Sequence, residues 1–175
     1  MRRSETLEKD AALAVARFMA ASARTAPKTR GIDNIIVVVI DDRKTKAGLV
    51  KKMKEISKRE NRPSFGRDAG SISGSPAVMI VGVKSNPAGL NCGFCGYKTC
   101  DELKKTGGVC SYNSIDLGIA TDSACSMAGR FHIDNRIMYS IGKAALELGL
   151  FDKDVRQALG IPLSVTGKSP FFDRK

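Results

Sequence analysis

The chain contains no tryptophan and only one histidine, His132. No G-x-S-x-G elbow accompanies that histidine, so hydrolysis by a serine or cysteine triad has no support. A lone histidine just beyond a helical segment reads as structural. Neither a Walker loop nor a G-x-G-x-x-G turn is present, which removes the usual signatures of nucleotide-phosphate cradles. No apolar run approaches the ~20 residues needed to cross a bilayer. Arg2 and Arg3 are followed at once by Glu5, Glu8 and Asp10, so the start lacks the apolar stretch of a secretion signal. These absences lead us to expect a soluble, cytoplasmic protein with no membrane partner, in a compartment where thiols stay reduced and clustered cysteines bind metal or do redox work.

A chain of 175 residues with 42% hydrophobic and 27% charged side chains can bury a single core without disulfides. Its net charge of +11, from 29 basic against 18 acidic residues, favours anionic partners. Much of the excess lies in Lys44, Lys46, Lys51, Lys52, Lys54, Lys58, Arg59, Arg62 and Arg67, which read as the solvated face of a helix. Since no nucleic-acid motif accompanies them, nucleic acid is not the expected partner.

Apolar spacing at Leu7, Ala11, Ala14, Val15 and Phe18 predicts a helix from a Ser4 cap to about Ala23. The β-branched run Ile35 to Ile40 predicts a buried strand, and Leu49, Met53 and Ile56 a second helix ending near Glu60. Residues 61–75, rich in Gly, Ser, Pro and Arg, read as a mobile or ligand-facing loop, and 76–83 as the next strand. A long helix of small residues is expected from a Ser114 cap to Phe131. A short helix over 143–148, another over 152–159 stopped by Gly160, and a strand over 161–165 complete the reading. The whole is one α/β or α+β domain, 1–175, with a cysteine-bearing insertion at about 86–112.

That insertion holds Cys92-x2-Cys95-x4-Cys100-x9-Cys110. A zinc ribbon offers two C-x2-C knuckles, and only one exists here. Three closely spaced cysteines with a fourth on a flexible arm suit a [4Fe–4S] cluster, although the 2, 4 spacing differs from both ferredoxin runs. Gly93 and Gly96 can adopt positive φ and turn backbone N–H groups toward the cluster sulfides, while Gly107 and Gly108 return the chain to Cys110. Phe94 and Tyr97 are candidates to shield it from water. A zinc site, metal-free thiol redox and a purely structural staple stay open at this point. Cys125, among small residues of the long helix, is assigned no ligand role. The segment from Cys92 resembles the C-x2-C-G-x3-C…C stretch of four-iron domains in carbon monoxide dehydrogenase and corrinoid protein assemblies.

Elsewhere, Ala20 to Lys28 before Ile35 to Ile40, Ser75 to Val81, Asp116 to Ala120, Ala144 to Leu150 and Val155 to Pro162 resemble segments of the nitroreductase fold. With the cysteine insertion, the chain resembles uncharacterised prokaryotic proteins containing a ferredoxin domain. The resemblance implies an α+β fold, a nitroreductase-like sheet flanked by helices, assembled as a homodimer through its central helix. It also implies FMN, its phosphate held by Arg24, Thr25, Lys28 and Arg30 at one end of the chain and by Lys168 at the other. Arg136 falls in the segment, Asp134 to Gly142, that the fold places beside the flavin ring; a salt-bridged corner would use the same residues. The sequence departs from the family where Lys28 replaces the serine of A-P-S and where the following Asn and Gln-Pro-Trp are missing. The implied function is an iron–sulfur redox protein whose cluster exchanges single electrons with FMN, which turns them into hydride chemistry on a small substrate, with a redox partner protein supplying them. The rival is a non-enzymatic electron carrier, or a metal-stapled module whose basic surface meets an acidic or nucleic-acid partner. Because the insertion hangs from a different strand, the basic loop from Arg24 to Arg30 is expected to be independent of it.

Overall fold

Along the described residues, 1–172 of this computed structural model, the order is α1 (Ser4–Thr25), a 3-10 turn (Thr29–Gly31), β1 (Ile35–Ile40), α2 (Arg43–Arg59), α3 (Pro63–Ser73), β2 (Val78–Lys84), α4 (Cys100–Thr106), α5 (Ser111–Arg130), β3 (Asp134–Asn135), α6 (Tyr139–Glu147) and β4 (Val155–Ser164). The strands form one antiparallel sheet in the order β1-β2-β4-β3. Ile35 pairs with Val83 and Ile40 with Val78, and on the other side of β2 Val78 pairs with Pro162 and Val83 with Gln157.

Period-two alternation along β2 divides the core between the two faces of the sheet. Met79, Val81 and Val83, with Ile35, Ile161 and Leu163, face α1 and α5. Val78 and Ile80, with Ile40, face α2, α3 and α6, where Leu49, Met53, Phe65, Ile72 and Ile141 are fully buried. Each such side chain contributes about 1.5–3 kcal/mol of burial, so both layers are held by the sheet rather than by helix propensity. Alanines line the contact between α1 and α5, and Ser22 and Ser123 hydroxyls meet there at 2.7 Å. On the opposite face α6 lies directly on β4. A Cβ at Gly142 would sit 1.7 Å from the Ala158 carbonyl oxygen, and one at Gly160 would sit 2.1 Å from Ile141 Cγ2. No helix of the described residues is long and apolar enough to cross a membrane.

Several sequence expectations change. The first helix starts at Ser4 itself, behind Arg3, with no side-chain cap, and runs to Thr25. Residues 63–73 are helix rather than loop. Pro63 occupies the first turn, and Phe65, Ala69 and Ile72 form a buried stripe that outweighs the glycines. Buried Asp68 fastens that helix by accepting from Ser140 Oγ at 2.6 Å. The long helix begins four residues early, at Ser111, with Cys110 rather than Ser114 at its cap position. Ser114 instead donates to Gln157 Oε1 at 2.8 Å. The helix expected over 152–159 is absent: Val155 to Ser164 is one strand, because β2 offers it a continuous row of hydrogen-bonding partners.

Candidate functional site

The chain leaves β2 at Lys84 and is clamped at once. Asn86 N donates to Asn113 Oδ1 at 3.1 Å, Asn113 Nδ2 returns a bond to Asn86 O at 2.9 Å, and Asn86 Nδ2 donates to Asn34 Oδ1 at 3.2 Å. Beyond the clamp the backbone turns left-handed at Gly89 (φ 72°), Asn91 (φ 48°), Gly93 (φ 74°) and Gly96 (φ 83°). A Gly96 N to Gly93 O bond of 2.9 Å closes the turn around Cys95. Asn91 Oδ1 accepts from Cys100 N at 2.8 Å and ties that turn to α4. Thr99 caps α4 by accepting from Glu102 N at 3.2 Å, while Glu102 Oε2 accepts from Lys98 N at 3.1 Å. Cys100 is therefore the first residue of α4 and Cys110 the cap residue of α5. Between them Gly108 packs so closely that a Cβ would lie 2.5 Å from Leu103 Cδ1.

All four cysteines line one pocket, which has no carboxylate or imidazole in its wall. Cys110 is buried, Cys95 and Cys100 are half-buried, and Cys92 is exposed. Among the described residues no three His, Cys, Asp or Glu side chains converge tightly enough to hold a single metal ion. A tetrahedral zinc with Zn–S of about 2.3 Å needs its sulfurs within about 3.8 Å of one another. Four thiols around a shared pocket are a soft donor set. Tyr97 packs against Leu103 and Cys110. Phe94 remains 66% exposed and stacks on Tyr112, with ring centroids 5.6 Å apart. Tyr112 was not singled out from the sequence; its position two residues after Cys110 was the available signal. Cys125 lies on α5 outside this pocket, its thiol pushed up to about 11 by burial and by nearby Asp122.

The basic residues of the α1–β1 connection have partners of their own. Arg24 Nη1 donates to Ile35 O at 2.6 Å and Nη2 pairs with Asp33 at 2.9 Å. Lys28, its side chain 6% exposed, donates to the carbonyls of Ala23, Arg24 and Ala26 and so caps α1. Thr25 Oγ1 donates back to Ala21 O at 3.1 Å. Arg30 sits at φ 58° and sends Nη1 to Ala88 O at 2.9 Å, and Ala88 packs beside Cys110 and Leu103. Next to it, Thr29 N and Oγ1 both donate to buried Asp116 Oδ1, at 3.0 and 2.9 Å. The expected independence of the basic loop from the cysteine insertion is therefore incorrect: one hydrogen bond joins them across 58 residues of chain. Arg136 and Lys168 belong to a different region. Arg136 Nη1 donates to Phe171 O at 3.1 Å and its guanidinium covers the Phe172 ring at 5.4 Å, while Lys168 contributes its carbonyl to Thr166 Oγ1.

Comparison with known proteins places this geometry. Residues 106–174 match the family described as "Uncharacterized protein containing a ferredoxin domain (DUF2148)". That match includes Cys110 and begins after the other three cysteines. An uncharacterized protein of Archaeoglobus fulgidus is 43% identical over 168 residues, which cover 91% of this chain and 89% of the relative. Among solved structures, a nitroreductase with bound FMN from Desulfitobacterium hafniense aligns with a TM-score of 0.63 at 14% identity, covering 96% of this chain and 80% of that one. A putative NADH dehydrogenase/NAD(P)H nitroreductase from Bacteroides thetaiotaomicron aligns with a TM-score of 0.60 at 11% identity, covering 93% and 80%. At such identities the likeness shows the fold, a nitroreductase-like α+β sheet flanked by helices.

Proposed function

The chain belongs to the family of uncharacterized proteins containing a ferredoxin domain, and on that premise we propose that it is an iron–sulfur redox protein in which Cys92, Cys95, Cys100 and Cys110 hold one [4Fe–4S] cluster. The observation that carries the reading is the single pocket lined by all four cysteines and by no competing ligand type. When bound, such a cluster accepts and donates one electron at a time. The chain's own part is to hold the sulfurs and to set their surroundings. Cys110 at the cap of the 20-residue helix α5 places its sulfur at the positive end of a helix dipole, where negative charge is favoured. Lys98, Lys104 and Lys105 add positive charge along the loop. Tyr97 and buried Leu103 keep water from one side, and exposed Phe94 marks the open side from which an electron-transfer partner would approach.

FMN is a second reading, supported by the likeness to a flavin-bound nitroreductase fold. Holding its phosphate would require Lys28 to leave the three carbonyl oxygens it caps, and Arg24 to share a guanidinium already engaged by Ile35 O and Asp33. The electron carrier is therefore the primary proposal, and no step is routed through flavin. Ile115, Gly118, Ile119 and Ser126, with Asp122 among them, leave a stripe of mostly small and apolar residues of α5 exposed. We assign that stripe to a homodimer interface; light scattering giving only monomer at micromolar concentration would refute the assignment.

The deciding experiment is anaerobic purification with iron, acid-labile sulfide, zinc and flavin assays. Four iron and four sulfide per chain are expected, with sharp loss in Cys→Ser variants at 92, 95, 100 or 110 and near-intact occupancy in Cys125→Ser. Stoichiometric zinc without labile sulfide would overturn the proposal. Extracted flavin at about one per chain would promote the second reading.

A further inference from the structure

A second feature, remote from the cysteines in sequence, concerns α2. Arg43, Lys46, Lys51 and Lys54 line a cleft between this helix and the last residue of α3, Ser73, with Ala47 and Val50 as its floor. Arg43, Ala47, Val50 and Lys54 follow one helical stripe of about three turns, and Lys46 and Lys51 flank it on either side. The other face of the same helix shows how this protein treats cations that it neutralises. There Lys52 pairs with Glu55, and Arg59 pairs with Glu55, Glu60 and Glu147. Among the described residues no salt bridge reaches Arg43, Lys46, Lys51 or Lys54, and no carboxylate lines the cleft.

Lys46 is held in place at this cleft, its ammonium donating to the carbonyl of Ser75 just before β2. Burial, and then repulsion from Lys9 of α1 and from Arg43, push its pKa down, with Asp42 as the opposing charge. Asp42 itself is occupied as the cap of α2, accepting from Thr45 N at 2.8 Å. The cleft gathers Arg43, Lys46, Lys51 and Lys54 of α2 around Ala47 and Val50, with Lys9 of α1 near enough to repel Lys46, a concentration of like charge that a multiply charged anion relieves.

We propose that the α2–α3 cleft is a binding site for a ligand carrying two or more phosphoryl groups. Lysine ammonium groups bind phosphate as point charges, and Arg43 can engage it through two parallel N–H bonds. The floor contains no aromatic ring on which a base could stack, so recognition falls on the phosphates and base identity should matter little. Nucleotide di- and triphosphates and a nucleic-acid backbone both offer this chemistry. The site is independent of the cluster, and its test does not use the iron.

The test is titration of the full-length protein with pyrophosphate, with ADP and with a labelled single-stranded oligothymidylate, by calorimetry and fluorescence anisotropy at two salt concentrations. The comparison variant is Arg43→Gln/Lys51→Gln/Lys54→Gln, three exposed positions whose change leaves the core intact. Lys104→Gln/Lys105→Gln controls for net charge. Binding in the wild type, weakened about tenfold or more in the triple variant and little changed in the control, is expected. Preference for pyrophosphate and ADP would identify a nucleotide-type ligand. Tighter oligothymidylate binding, with a log–log salt slope near −3 from four neutralised phosphates, would identify a nucleic-acid strand. No binding of any probe at about 1 mM, a free energy weaker than about −4 kcal/mol, or equal binding by both variants, would overturn the proposal.

Discussion

Replacing Arg30 by alanine isolates the hydrogen bond by which the Thr29–Gly31 turn reaches the cysteine loop. The residue sits at φ 58°, a conformation that costs any non-glycine residue about 1–2 kcal/mol, and alanine retains that cost. What is lost is the guanidinium bond to Ala88 O at 2.9 Å. Bonds from charged donors contribute about 1.5–3 kcal/mol, and the exposure of Arg30 argues for the lower end. Since 1.4 kcal/mol is a factor of ten, opening of residues 88–100 should become roughly tenfold more frequent. Hydrogen exchange followed by mass spectrometry, on reduced protein without iron, reads this directly. The Cys100 amide, bonded to Asn91 Oδ1, should lose protection while sheet amides such as Val81 keep theirs. Arg30→Gly removes the same bond but also relieves the backbone, so its overall stability should exceed that of the alanine variant by about 1 kcal/mol while the loop opens as readily. Unchanged exchange of residues 88–100 in Arg30→Ala would show that the contact holds nothing.

Two further outcomes follow from the fold. Arg59, and then Lys143 at 2.6 Å, hold the Glu60 carboxylate down to about 2 from its ordinary 4.5. A lowered folded-state value means a contribution that is present above pH 4.5 and lost as pH falls toward 2, so thermal melts should drop across that window, and less steeply in Glu60→Gln. Gly142→Ala forces a Cβ into the backbone of Ala158 and should cost about 3 kcal/mol or more in denaturant unfolding. Gly48→Ala, with open space beside it in α2, should instead stabilise by about 0.5–1 kcal/mol, and the opposite order of the two would refute the packing argument.

What could be read from residues alone was what local pattern controls. Ile35 to Ile40 is strand because six β-branched residues can be buried on both faces, and the spacing and flanking glycines of Cys92 to Cys110 marked out a segment whose four cysteines line one pocket. The misreadings have tertiary causes. Arg156, Gln157, Ala158 and Leu159 are good helix formers, yet β2 needed a partner and the bare backbone of Gly142 and Gly160 let α6 cover the resulting strand. Gly66, Gly70 and Gly74 suggested a loop, but the stripe of Phe65, Ala69 and Ile72 had a waiting surface on α2 and α6. Arg24 and Lys28 illustrate the harder case. Sequence position offered them to a phosphate, and only the folded chain shows which carbonyl oxygens they meet.

The helix α4 carries a further consequence. It is seven residues long, far below the ~12–15 at which an isolated helix is even marginal in water. Leu103 is its one buried residue, in a small apolar cluster separate from both layers of the sheet. The segment from Asn91 to Cys110 is thus a piece of structure that can come apart while the rest of the molecule stays folded. Cross-linking its four sulfurs through a common group would shorten the free chain to stretches of two, four and nine residues and remove most of that freedom. Unlinked, the same stretch offers a protease its first foothold, with Lys98, Lys104 and Lys105 as trypsin sites. The lifetime of the polypeptide would then report whether the sulfurs are joined, and molecules that lose the joining group would be cleared ahead of those that keep it.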